Sequence, residues 1–412
     1  MLARRFYPFG FFSYMMLDQF IWMVYLLRRG YSMGQVGIAM TGFQAMYLVC
    51  NIPSSYLADR FGRRPFLVLA PLFKTASAFL FLNAGSLGVV VAGTALTGIA
   101  YAFISGTDYA YFHDTLVATG EEMHVHDRLS RYTSLQALGT AIGGLAGGFI
   151  ALYSFRALYL AEAAVSATTA VAALLLPRVR RPLEEGEPAR AGEKALEAGT
   201  VRRPTGRGPY APVVTALTAI GSARAGVAGQ VTIIAVSAML FALGQDYMQP
   251  ALASWGMDTA GISLAFALGN LASIAGNRTS PRLPEEHRRR IAVYHPLLYG
   301  AVLLLQASAA LVPQDGRVVV ALVGLLCARF VGGLSSILLS ARLLVSCPPH
   351  LKATLLSTAD TGSNFLVALA FPLLGLVSDR WGAVAPFLAV SAMALVEGIV
   401  LAAAGVRKTT RT

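Results

Sequence analysis

Apolar residues run along this chain in long unbroken stretches rather than in alternation. Runs near 20 residues recur at roughly 9–28, 33–56, 66–83, 87–110, 134–153 and 157–177, and again near 230–251, 259–277, 291–312, 318–344, 353–376 and 384–405. At about 1.5 Å per residue, each run is long enough as a helix to cross a hydrocarbon core of ~30 Å. Lipid offers no partner to an unpaired backbone group, so such runs must be helical. A membrane barrel would instead need alternating strands of about ten residues. The pattern predicts an all-α membrane protein with twelve transmembrane helices.

Residues 178–209 interrupt it. They are charged, rich in proline and glycine and nearly free of large apolar groups, which is the composition of a tether. Residues 210–229 are mildly apolar and fit a segment lying along the membrane surface. The predicted organisation is an N-terminal six-helix half over 1–177, a cytoplasmic linker over 178–229, and a C-terminal six-helix half over 230–412 with a short cytoplasmic tail. The halves echo one another. Asp18-Gln19 corresponds to Gln245-Asp246, Ile104-Ser105-Gly106 to Val331-Gly332-Gly333, and Ala157-Leu158-Tyr159-Leu160 to Ala385-Pro386-Phe387-Leu388. Concordant offsets of this kind predict two six-helix pseudo-repeats with a substrate site near the bilayer midplane between them.

Composition agrees with lipid as the solvent: 56% of residues are hydrophobic and only 13% charged, about half the charge of a typical soluble domain. The net charge of +12 does not mark a nucleic-acid binder, because the basic residues gather in the short segments between apolar runs. With both termini inside, 25 Lys and Arg fall on the cytoplasmic side and five on the other, which fixes the expected orientation as a multi-pass protein of the cell membrane. No cleavable signal peptide is evident in the first run. Cys50, Cys327 and Cys347 lack metal or redox spacing and read as small apolar residues.

The most specific motif is Ser55-Tyr-Leu-Ala-Asp59-Arg60-Phe-Gly62-Arg63-Arg64, between the second and third runs. Gly62 suits a tight turn, Asp59 can cap a helix or pair across to the other half, and the arginines suit an anionic leaflet. In the fifth run Gly139, Gly143, Gly144, Gly147 and Gly148 are spaced for close helix packing. The loop motif resembles the G-x-L-A-D-R-x-G-R-R signature of the major facilitator superfamily, with Ser55 in place of the leading glycine. The resemblance implies a cytoplasmic gate formed by Asp59, Arg60, Gly62, Arg63 and Arg64. The glycine series is similar to the family's antiporter motif, except that Gly144 stands where a proline is usual. Ser105-Gly-Thr-Asp108-Tyr-Ala-Tyr-Phe-His113-Asp114-Thr-Leu resembles a drug-exporter subgroup of bacterial facilitator proteins, and Tyr247-Met-Gln249-Pro250 and Arg329-x-x-Gly332 fit the same group.

An ionisable side chain within a membrane span is costly and marks function by default. The inventory is Asp18, Lys74, Asp108, Glu162, Asp246, Arg329, Asp360 and Glu397. The family's first, fourth, seventh and tenth helices line its cavity, so the resemblance ranks Asp18, Asp108, Asp246 and Arg329 highest, with Gln19, Gln245 and Gln249 beside them, as substrate- or proton-binding groups. Lys74, Glu162, Asp360 and Glu397 read as structural pairs. A carboxylate balanced between desolvation and a neighbouring cation can bind and release a proton as a cavity changes sides. Aromatic residues are dense in the first and fourth runs and suit a pocket for a flat or cationic ligand, or a lipid-facing wall.

Other chemistry finds little. His124 and His126 lie too close together on a polar loop for a convincing metal site, and Asn277-Arg-Thr falls on the expected cytoplasmic side. There is no phosphate-binding loop and no nucleophile with a base partner, so neither an enzyme nor a cofactor or metal is expected. The expected function is secondary active transport by a monomer: proton-coupled export of a hydrophobic or amphipathic small molecule. The alternatives are an importer or facilitator of a polar nutrient, and a transport-dead membrane sensor or scaffold.

Overall fold

The computed structural model describes residues 2–121, 124–177, 225–346 and 352–409. Among these it is helical throughout, and eleven helices are long and apolar enough to cross a membrane. The expected first span is not one of them. It forms two short helices, α1 (Phe6–Ser13) and α2 (Trp22–Arg28), with irregular backbone from Tyr14 to Ile21. The apolar pattern could not show this break, because it depends on partners supplied by other helices.

The remaining elements follow their local signals. Helix α3 (Met33–Phe61) begins at Ser32, whose Oγ accepts from Gln35 N while Gln35 Oε1 accepts from Ser32 N at 2.9 Å, a reciprocal cap for two exposed donors. It ends at Gly62 with φ +96°, and α4 (Arg64–Leu82) then turns back through the apolar layer. The fourth span is also divided. Helix α5 (Leu87–Ile104) stops at Ser105, Gly106 takes φ +71°, and α6 (Thr107–Ala118) continues. Helices α7 (Val125–Tyr153) and α8 (Phe155–Leu174) complete the first half.

The second half starts with α9 (Ala225–Asp246), so helix extends into the stretch 225–229 assigned to the linker from the sequence. The rest of that linker, 178–224, lies outside the described residues. After Tyr247 the span continues as α10 (Met248–Ser254). Then come α11 (Thr259–Thr279), α12 (Glu285–Ser308), α13 (Gln314–Ser346), α14 (Lys352–Trp381) and α15 (Ala385–Thr409). Large apolar side chains such as Leu271, Leu373, Val396 and Ile399 are more than half exposed on the bundle's flanks, where lipid is the neighbour.

The halves meet along two seams. Along α3 and α14, Thr41 Oγ1 donates to Ala368 O at 2.8 Å, and neither Gly37 nor Gly375 has room for a Cβ against the opposing backbone. Along α7 and α11, Thr259 Oγ1 donates to Gly148 O at 2.9 Å and Gly148 abuts Ser263. Both seams lie toward the end of the bundle that carries Arg29 and Arg380, which the charge pattern assigns to the outside. That end is called the outer end below.

Candidate functional site

Two adjoining chambers open within the N-terminal half and share Met16, Phe43, Lys74 and Tyr101. The smaller, about 190 Å³, holds Asp18 and Gln19 together with Lys74, Glu162, Trp22 and Tyr159. The larger, about 340 Å³, is walled by Phe12, Tyr14, Tyr47 and Tyr101 and reaches Asp360 and Asn364 on the other half.

The unwound stretch of the first span builds the smaller chamber. Glu162 on α8, only 2% exposed, accepts from the unpaired Leu17 N at 2.7 Å through Oε2 and pairs with Lys74 Nζ at 2.8 Å through Oε1. One carboxylate therefore supplies a freed backbone donor with an acceptor and a buried ammonium with a counter-charge. Asp18 O accepts from Ile21 N and Trp22 N, both at 2.9 Å, which starts α2 and presents the Asp18 side chain to the chamber. Glycines of α7 make room for this backbone: a Cβ on Gly139, Gly143 or Gly147 would collide with main-chain atoms between Phe11 and Leu17, and one on Gly144 with the Phe20 ring. Small residues here admit irregular backbone to the middle of a membrane bundle.

Asp108 stands elsewhere. At the first turn of α6 it is 0% exposed, with Oδ1 accepting from Tyr109 N at 2.8 Å and Oδ2 accepting from Tyr132 Oη at 3.2 Å and Gln136 Nε2 at 3.0 Å. Its lone pairs are engaged by the helix start and by α7, and it lines neither chamber. Gln245, Asp246 and Arg329 line neither chamber. Arg329 Nη1 donates to Asn270 Oδ1 at 3.1 Å and the guanidinium lies 5.3 Å from the Phe266 ring centroid, and among the described residues no ion pair joins it to Asp246. Gln249, 2% exposed, joins the halves by donating from Nε2 to Gln19 O at 3.2 Å.

Of the groups ranked highest from sequence, Asp18 and Gln19 reach a chamber. Lys74, Glu162 and Asp360, read there as structural, line the cavity as well. Their signal was present, since each is an ionisable group inside an apolar run. The ranking by helix number hid it.

The loop after α3 is bound within its own half. Arg63 Nη1 pairs with Asp114 Oδ2 at 2.7 Å, and Arg64 donates to Leu174 O. Arg60 lies against the Phe61 ring. The side chain of Asp59, assigned to the gate from sequence, falls outside the described residues. At the outer end the halves are latched: Asp379 at the end of α14 accepts from Met33 N at 2.7 Å and Gly34 N at 2.8 Å, the free donors at the start of α3. Phe20 stacks on Phe266 with centroids 5.4 Å apart. The described hydrogen bonds that link the halves all lie between the chambers and this end, so the cavity is closed toward it.

A sequence model of the Major Facilitator Superfamily matches residues 9–370. Among solved structures, the nucleoside transporter NupG superposes with a TM-score of 0.71 at 12% identity, covering 98% of each chain. A POT family transporter in complex with 5-aminolevulinic acid superposes with a TM-score of 0.64 at 14% identity, covering 98% of this chain and 94% of that one. These likenesses are of fold. No protein of curated function matches the sequence.

Proposed function

The chain belongs to the major facilitator superfamily, whose members carry small molecules across membranes, and from that premise we propose that it is a proton-coupled exporter of hydrophobic or amphipathic compounds. The observation that carries this reading is the unwound centre of the first span, which sets Asp18 beside the Lys74–Glu162 pair. Two carboxylates surround one ammonium there, leaving one negative charge in excess. A proton neutralises that excess, and its departure restores it. A group that is charged in one state and neutral in the other can bias a two-state equilibrium, and this is what coupling requires.

Cargo enters from the inner side in the arrangement described, between apolar and aromatic walls that suit an amphipathic body. Release outward requires the Asp379 latch to part and the inner ends of the halves to close. The Asp59–Arg64 loop would hold the inner end in that second state. Neither step consumes a nucleotide, so the proton gradient supplies the driving force.

The test uses full-length protein in proteoliposomes with an acidic interior and two dyes, neutral Nile red and cationic ethidium. Asp18→Asn is expected to abolish gradient-driven dye movement while yielding folded, monodisperse protein. Gradient-driven transport equal to that of the parent protein would remove Asp18 from coupling. Failure of the parent protein to concentrate either dye would overturn the export reading.

A further inference from the structure

The larger chamber contains a charge that proton coupling does not use. Asp360 on α14 is exposed to it, and its one described hydrogen bond comes from Asn364 Nδ2 on its own helix, at a long 3.4 Å. Lys74, the other charged group lining this chamber, is already engaged by Glu162 at 2.8 Å. Among the described residues no cation pairs with Asp360, so among them the chamber's carboxylate has no counter-charge.

What surrounds that carboxylate is aromatic. Phe12, Tyr14, Phe43, Tyr47 and Tyr101 line the same space of about 340 Å³. Phe43 lies nearly parallel to Tyr47 and edge-on to Tyr101. Ring faces attract positive charge, and a carboxylate does so more strongly where water is scarce. A concave, largely apolar site with one fixed charge selects for the opposite charge on an apolar body.

We propose that this chamber binds monovalent organic cations and that Asp360 selects their charge. The inference rests on the transport reading above for its premise that the chamber receives cargo. It adds a division of labour between the chambers, in which Asp18 takes the proton and Asp360 takes the cargo's positive centre. A neutral or anionic molecule of the same shape would desolvate Asp360 without compensating it, so rejection is built in alongside attraction.

The experiment is equilibrium binding to the purified full-length protein without any gradient, so its outcome is independent of coupling. The probes are tetraphenylphosphonium and tetraphenylborate, which share size and shape and differ in charge. Tetraphenylphosphonium is expected to bind saturably and tetraphenylborate not to. Asp360→Asn is expected to weaken the cation roughly 10–100-fold, and Asp360→Glu to retain most of its affinity. Equal binding of the two ions, no saturable binding of the cation, or cation affinity unchanged in Asp360→Asn would each overturn the proposal. If Asp360→Asn fails to fold, the comparison of the two ions on the parent protein and on Asp360→Glu still decides. Should this fail while gradient-driven movement of Nile red persists, the transport reading stands without its cationic cargo.

Discussion

At the scale of single residues, the buried ion pair between Lys74 and Glu162 shows how a charge in lipid acquires more than one duty. Removing Glu162 takes from Lys74 its direct ion-pair partner and from the Leu17 N–H its acceptor. Truncating one member of a buried pair leaves an uncompensated charge and costs about 3–5 kcal/mol, whereas neutralising both costs far less. Lys74→Met is therefore expected to lower thermal stability sharply, and Lys74→Met with Glu162→Gln to recover most of the loss, because the Gln amide oxygen still accepts from Leu17 N. Melting curves of the three proteins in one detergent decide this, and a double variant as unstable as the single would refute the pairing. Asp108 makes the contrast. Its presence inside an apolar run was legible, but the three donors that engage it come from the start of α6 and from α7, and sequence spacing does not reveal them.

At the scale of elements, the breaks in the spans matter more than the spans. Residues 9–28 read as one apolar run, yet α1 and α2 are separated by eight residues of irregular backbone. That backbone survives because α7 presents a glycine face to it and Glu162 accepts its free donor. Gly147→Ala should destabilise the protein by about 1–3 kcal/mol, as overpacking does, since the added methyl meets the Leu17 main chain. Gly229→Ala is the control: nothing lies within 4 Å of a Cβ there, and a helix gains roughly 0.5–1 kcal/mol from the exchange. Similar effects in thermal melts at the two positions would show that the glycine face is not packed as described. The small-residue triplets matched between the halves also behave differently. Gly106 unwinds its span, whereas Gly332 and Gly333 stay helical within α13 and pack against Phe241 and α11. A glycine permits either outcome, and its neighbours decide between them.

At the scale of the whole molecule, the two halves join along two seams toward one end, and Asp379 is a charged contact there. Hydrogen bonds to an ionised group contribute about 1.5–3 kcal/mol each, so Asp379→Ala should shift the balance toward an outward-open state by tenfold or more. A single cysteine at Thr41, in a background with Cys50, Cys327 and Cys347 replaced by serine, reports on that seam. Its labelling by a membrane-impermeant maleimide added outside is expected to speed up markedly in Asp379→Ala. An unchanged rate would show that the latch does not hold the outer end shut.

The sequence by itself determined the solvent and the secondary structure. Apolar runs longer than a soluble domain can hide leave lipid as the medium, and lipid leaves helix as the backbone state. The signature from Ser55 to Arg64 marked the family, because its turn and charges are local and contiguous. The tertiary structure decided which ionisable groups share a cavity. Burial and pairing of a charge depend on side chains from helices tens to hundreds of residues apart: Leu17 with Glu162, Met33 with Asp379, Lys74 in one chamber with Asp360. Of those residues, Lys74, Glu162 and Asp360 were visible in the sequence as anomalies in lipid. Their assembly into a site is a property of helix packing, and helix periodicity alone carries no record of which faces meet.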